Sequence, residues 1–125
     1  MQGFDIPSGA TQKLGTSGSV ANAAAAASLA ADANAYNWLS GFDVTGGGAT
    51  AAVLVVITVT GLLGGTITFV MAAVAGVTLP VRFEKSFMKA LRSSAKNTAI
   101  QVSAAAFGAG NTAVVTNVYG YSSEL

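Results

Sequence analysis

Cysteine and histidine are both missing from this 125-residue chain, and only 9% of its residues are charged. Without thiols there are no disulfides, thiolate metal sites or cysteine nucleophiles. Without imidazole, the usual proton shuttle of neutral-pH catalysis and the commonest metal ligand are gone. Serine and threonine hydroxyls abound, but with no histidine base an unactivated hydroxyl is a poor nucleophile. Asp43 and Glu84 stand alone in the middle of the chain, and two isolated acids make no glycosidase pair. These absences point away from an enzyme, and no cofactor, metal or small-molecule substrate is expected. A net charge of +1 gives no reason to expect nucleic acid as a partner.

The shortage of charge has a second consequence. Charged residues ordinarily make up about a quarter of a globular protein, whereas 52% of this chain is hydrophobic. Part of its outside must therefore be covered, by protein or by lipid. The lipid alternative rests on residues 44–81, which hold no charge, and the window 53–71 is long enough for a spanning helix. Against it, Val, Ile and Thr dominate where a helix favours Leu and Ala, and Gly61, Gly64 and Gly65 break the centre. Threonines also recur every second residue on both sides of that break, which is a strand period. A membrane is thus not the expected partner, and a small membrane protein with one spanning helix at 53–79 is the rival reading.

The length suits one domain. Residues 1–35 are rich in Ala, Gly and Ser and have few large side chains. Such a segment buries too little apolar area to offset the cost of ordering its backbone. It is expected to be a flexible N-terminal arm that orders on assembly, with 22–33 either a docked helix or extended. Asp5 near the start, with no basic stretch before an apolar run, does not read as a secretory signal.

Residues 36–125 change in texture to β-branched runs separated by glycine clusters. Strands are expected at 37–45, 52–60, 66–74, 77–87, 98–105 and 113–121. The second and third should form a hairpin across the 61–65 glycines, and Pro80 marks an edge or a bulge. The fold class is all-β: a small antiparallel β-sandwich, jelly-roll-like, with about six or seven strands. The glycine clusters at 46–48 and 61–65 read as turns, since neither has the phosphate-loop pattern or a suitably placed lysine.

Two groups of residues are candidates for interaction. Arg82, Lys85, Lys89, Arg92 and Lys96 are spaced at alternating three- and four-residue steps, so a helix would align them as a basic stripe. They would then face an acidic partner or form a solvated ridge; on a strand Arg82 and Lys85 would point to opposite faces. Tyr36, Trp38, Phe42, Tyr119 and Tyr121 lie near the two ends of the β region. They suit the core, and Trp38, Tyr119 and Tyr121 also suit an interface.

The segment 38–48 (WLSGFDVTGGG), with VTGLLGGTITF and the later SAAAFGAGNTAVVTNVYGY, resembles small virion proteins encoded by tailed bacteriophages. In those a G-F-x-V-T-G-G-G strand-turn and a T-G-L-L-G-G-T hairpin occur in a short, Thr/Val-rich chain. The likeness covers about residues 38–121 and leaves out the arm. It implies a β-sandwich structural subunit without catalytic residues. The expectation is a capsid decoration protein on the virion surface, bound to the major capsid protein and to itself as a homo-oligomer, a trimer being one option. The arm would reach neighbouring subunits. A tail or fibre subunit is the structural alternative. The basic stretch 83–96 departs from the Thr/Val-rich texture, as an edge adapted to a particular neighbour would.

Overall fold

The computed structural model describes residues 9–76 and 80–124. Eight strands follow in chain order: β1 (Thr11–Thr16), β2 (Ala25–Leu29), β3 (Tyr36–Gly47), β4 (Val53–Leu62), β5 (Gly65–Ala73), β6 (Val81–Arg92), β7 (Ile100–Ala104) and β8 (Ala113–Ser123). They form two four-stranded antiparallel sheets. Sheet A has the order β1-β8-β3-β6 and sheet B the order β2-β7-β4-β5. Within these, the pairs β1·β8, β2·β7, β3·β6 and β4·β5 nest inside one another, as if one long hairpin had been wrapped around a core.

Period-two alternation puts the apolar side chains between the sheets. In β4, Val55, Ile57 and Val59 are buried while Leu54, Val56 and Thr60 are exposed; in β8, Val114, Thr116 and Val118 are buried. The hydroxyl of Thr116 stays satisfied by donating to the Ala25 carbonyl at 3.0 Å. Phe42, Leu39, Ile57, Ile100 and Phe107 complete the centre. Each such side chain contributes about 1.5–3 kcal/mol by leaving water.

The six expected strands correspond to β3–β8, and the β4–β5 hairpin turns through Leu63 and Gly64, with Leu62 paired to Gly65. Positive φ at Gly64 (95°) needs the residue without a Cβ. The glycines at 46–48 differ from expectation: Gly46 and Gly47 remain in β3, paired to Val114 and Ala113, and only Gly48 turns, with φ 88°. The fourth strand was expected from residue 77, but β6 starts at Val81, after Pro80; residues 77–79 lie outside those described. β6 is an edge strand, as proline beside it suggests. The spanning-helix reading is corrected: residues 53–73 are a hairpin, and among the described residues no helix is long and apolar enough to cross a membrane.

The first 35 residues also differ from the expected arm. Residues 1–8 lie outside those described, but β1 and β2 are sheet strands, which makes eight rather than six or seven. The segment 22–33 contains a strand and no helix. Ala25, Ala27 and Leu29 are buried at 0%, 2% and 0% exposure, so β2 belongs to the core. Small side chains are required because the two sheets meet closely at this corner. A Cβ on Gly15 would lie 2.1 Å from the Ser28 carbonyl oxygen, and one on Gly120 would lie 2.7 Å from Leu29 Cδ1 and 2.0 Å from the Trp38 carbonyl oxygen. The composition that reads as an arm is the composition of a tight seam.

Two buried asparagines pin opposite ends of β3. Asn37 Nδ2 donates to the carbonyls of Leu29 (3.2 Å), Ala30 (2.9 Å) and Thr98 (2.9 Å), and its Oδ1 accepts from Lys13 Nζ at 2.9 Å. At the other end Asn111 Nδ2 donates to the carbonyls of Gly47 (2.7 Å) and Ala113 (3.1 Å), while its Oδ1 accepts from the Asn22 amide at 2.8 Å. Burial lowers the pKa of Lys13, and nearby Asp32 partly opposes this.

Candidate functional site

The outer face of sheet A gathers most of the residues singled out as interaction candidates. Antiparallel register sets Tyr121 beside Trp38, and Arg92 beside Trp38 on the other side. The Trp38 and Tyr121 rings stack with centroids 5.9 Å apart and planes 14° apart. Arg92 lies 4.2 Å over the Tyr36 ring and Lys96 Nζ lies 5.7 Å over it, so two cations bracket one aromatic at this end. The Trp38 indole N–H is buried and makes no hydrogen bond within the protein.

Further along the same face Asp43 organises a polar cluster. It is only 4% exposed. It accepts from the Tyr119 hydroxyl at 2.6 Å and from Asn117 Nδ2 at 3.1 Å, with Arg82 at 3.7 Å and Arg82 also paired to Glu84 at 2.7 Å. Burial, and then the bond to Asp43 and its charge, push the Tyr119 hydroxyl up to about 12, with Arg82 acting in the opposite direction. Burial raises Tyr121 too. Its oxygens are engaged by a phenol, an amide and a guanidinium, so Asp43 ties β3, β6 and β8 together on this face. Among the described residues no group of three or more His, Cys, Asp or Glu could hold a metal ion.

The basic stripe does not form. Its residues lie on β6 and the loop after it, so the helical alignment is replaced by a strand that also bulges. Gly41 pairs with Ser86 and Leu39 with Leu91, so residues 87–90 loop away from the ladder and carry Lys89 and a fully exposed Met88 with them. Lys85, opposite buried Phe42, sits on the core side of the free edge with Nζ 5.8 Å over the Phe87 ring. Arg82 and Arg92 share the outer face, Lys85 opposes them, and Lys89 and Lys96 lie off the ladder. Sequence reasoning missed the partnership of Asp43 with Tyr119 and Asn117. The odd-numbered polar and aromatic positions of β8, 117, 119 and 121, carried the signal for one shared face.

Sheet B presents the opposite character. None of its four strands contains Asp, Glu, Lys or Arg. Its outer face is threonine and serine at one end. At the other, Leu54 (72%), Val56 (45%) and Val70 (55%) are exposed, with Val74 (49%) just beyond β5. Every charged residue among those described lies in sheet A or in a loop or terminal segment. No family model matches the chain, and no match is found among the curated proteins or the solved structures.

Proposed function

We propose that the chain is a non-enzymatic jelly-roll subunit that decorates a bacteriophage capsid, binding the assembled surface through the outer face of sheet B and stabilising it. The single observation behind this reading is the segregation of charge. One broad face carries aromatic, acidic and basic groups suited to water, and the other carries none and exposes Leu54, Val56 and Val70. Exposed apolar patches of this kind mark interaction surfaces.

Two further points support the reading. The nested pairing 1·8, 2·7, 3·6, 4·5 is the strand order of a jelly roll, an architecture used in viral capsid and lectin domains. Fold alone does not set function, but the strand-turn and hairpin phrases at 38–48 and 59–69 resemble those of tailed-phage virion proteins. A subunit that binds the lattice and not its free components lowers the free energy of the shell, and repetition over many sites multiplies the effect.

The test is occupancy on particles of the phage that encodes the chain. Leu54→Glu and Val56→Glu should each weaken binding at least tenfold, because a buried carboxylate without a partner is costly. Leu14→Glu, at a 65% exposed position on the outer face of sheet A, should leave it unchanged. Equal binding by all three variants rejects sheet B as the docking face. Density on the tail or a fibre instead of the head would move the chain to a different place on the virion.

A further inference from the structure

The sandwich is closed on one side and open on the other. At the closed side β1 and β2 meet, with Gly15 against the Ser28 carbonyl. At the open side the facing edges are β5 and β6, whose backbones stay apart and which meet through Phe69 and Phe83, ring centroids 5.7 Å apart. Phe69, Phe83 and Phe87 are only partly buried there, and a cleft of about 510 Å³ lined by Leu62, Thr66, Ile67, Leu91 and Arg92 opens beside them.

Edge strands invite pairing by other chains, and proteins block them with charge, shortness or bulges. Three of the four edges here carry such a device. β1 is six residues long and contains Lys13; β2 is five residues long; β6 has Arg82, Glu84, Lys85, Lys89 and Arg92 and the bulge at 87–90. β5 has none. It is nine residues, GTITFVMAA, without a charge or a proline, and among the described residues it pairs only with β4.

The free hydrogen-bonding groups of β5 can be identified. The Ala105 amide donates to the Val56 carbonyl at 3.0 Å, so Val56 faces β7. By alternation Val55, Ile57 and Val59 then face β5, where they meet Met71, Phe69 and Ile67. The N–H and C=O groups of Thr66, Thr68, Val70 and Ala72 therefore point to the open side.

We infer that β5 is a self-association edge, on which a second copy of this chain adds its own β5 antiparallel about a twofold axis through Phe69, joining the two B sheets into one eight-stranded sheet. The twofold pairs odd positions with odd and even with even. Thr68 meets Val70 of the other copy, Thr66 meets Ala72, and Ile67 meets Met71, so each copy's core-side residues meet core-side residues and the registers agree. No charge meets a like charge, which is what an isologous interface requires. About eight new main-chain hydrogen bonds form, two for each hydrogen-bonded pair. The edge is about 30 Å long, and two layers about 10 Å apart give it depth. Its projected area of roughly 300 Å² per copy, about 600 Å² in total, is that of a weak, reversible interface, held chiefly by main-chain hydrogen bonds as in strand addition. Pairing also sets the two Phe69 residues opposite each other and joins the two exposed Leu54, Val56 and Val70 patches on one side. A different protein with an uncharged strand could occupy the edge, but the matched registers favour the chain itself.

The test uses the full chain in sedimentation velocity from micromolar to millimolar concentration. The wild type should show a monomer–dimer equilibrium. Thr68→Pro removes an N–H that bonds nothing within the subunit, and Val70→Lys places a charge at the edge on the solvent face; each should weaken dimerisation at least tenfold, with far-UV circular dichroism unchanged for Val70→Lys. Amide exchange at Thr68 and Val70 should slow as wild-type concentration rises. A wild type that stays monomeric throughout, or a Val70→Lys variant with the wild-type dimer affinity, overturns the proposal. Particle occupancy is read separately, so failure here and failure of the capsid reading are distinguishable.

Discussion

Replacing Asn37 with alanine tests whether a polar pin, rather than apolar burial alone, holds the lower end of the sandwich together. The side chain is fully buried and its Nδ2 serves three carbonyls belonging to the end of β2, the turn after it and the approach to β7. Ala30 keeps a second donor in Lys13 Nζ and Leu29 keeps its ladder partner Ile100; the Thr98 carbonyl loses the donor that Asn37 supplied. An orphaned buried acceptor costs about 1–3 kcal/mol, so the variant should lose about that much. This is a large share of the 5–15 kcal/mol typical of a domain. In urea the unfolding midpoint should fall by roughly 1–2 M with an unchanged slope, and the melting temperature by about 10 °C. A double-mutant cycle with Lys13→Met should show coupling of about 0.5–3 kcal/mol, since Lys13 Nζ bonds both Asn37 Oδ1 and Ala30 O. A loss below about 0.5 kcal/mol would place the variant in the range of ordinary surface changes and refute the pin.

Deleting residues 2–35 removes β1, β2 and the buried Ala25, Ala27 and Leu29, so the remainder should lose cooperative unfolding; a sharp transition with a native-like β spectrum would restore the arm. Gly120→Ala puts a Cβ 2.0 Å from the Trp38 carbonyl oxygen and should cost about 1–3 kcal/mol in chemical denaturation. Tyr119→Phe removes a hydrogen bond to a carboxylate and should cost about 1–2 kcal/mol at neutral pH. Its pH dependence follows from the pKa, pushed up to about 12 from the ordinary phenol value of about 10. The folded state holds that proton more tightly, so the wild type keeps this share of its stability below about pH 10 and loses it as pH climbs to about 12. The variant should show a shallower alkaline decline in urea titrations; an identical decline would remove Tyr119 as its source.

Much of the sandwich was legible because period-two alternation is a local signal. Val55, Ile57 and Val59 against Thr58 and Thr60 mark β4 without reference to anything distant, and the glycines after them mark its turn. β1 and β2 were illegible because their warrant is non-local. Ala25, Ala27 and Leu29 alternate inward only because β7 lies beside them, and Gly15 is demanded by a carbonyl of Ser28 across the seam. Propensity favours a helix for the alanines, and tertiary packing overrides it. The basic residues misled for the related reason that their spacing fits a helix while Val81, Phe83 and Phe87 fit a strand. The cluster around Asp43 needed the register of three strands, which no single segment contains.

Cryo-electron microscopy of particles from the proposed phage asks whether the chain docks through the uncharged face of sheet B. Leu54, Val56 and Val70 should be turned toward the capsid lattice, and Trp38 and Tyr121 should be turned to solvent. Density in which the sheet B face lies open to water while the Trp38 face contacts the shell, or particles that carry no such subunit, would contradict that docking.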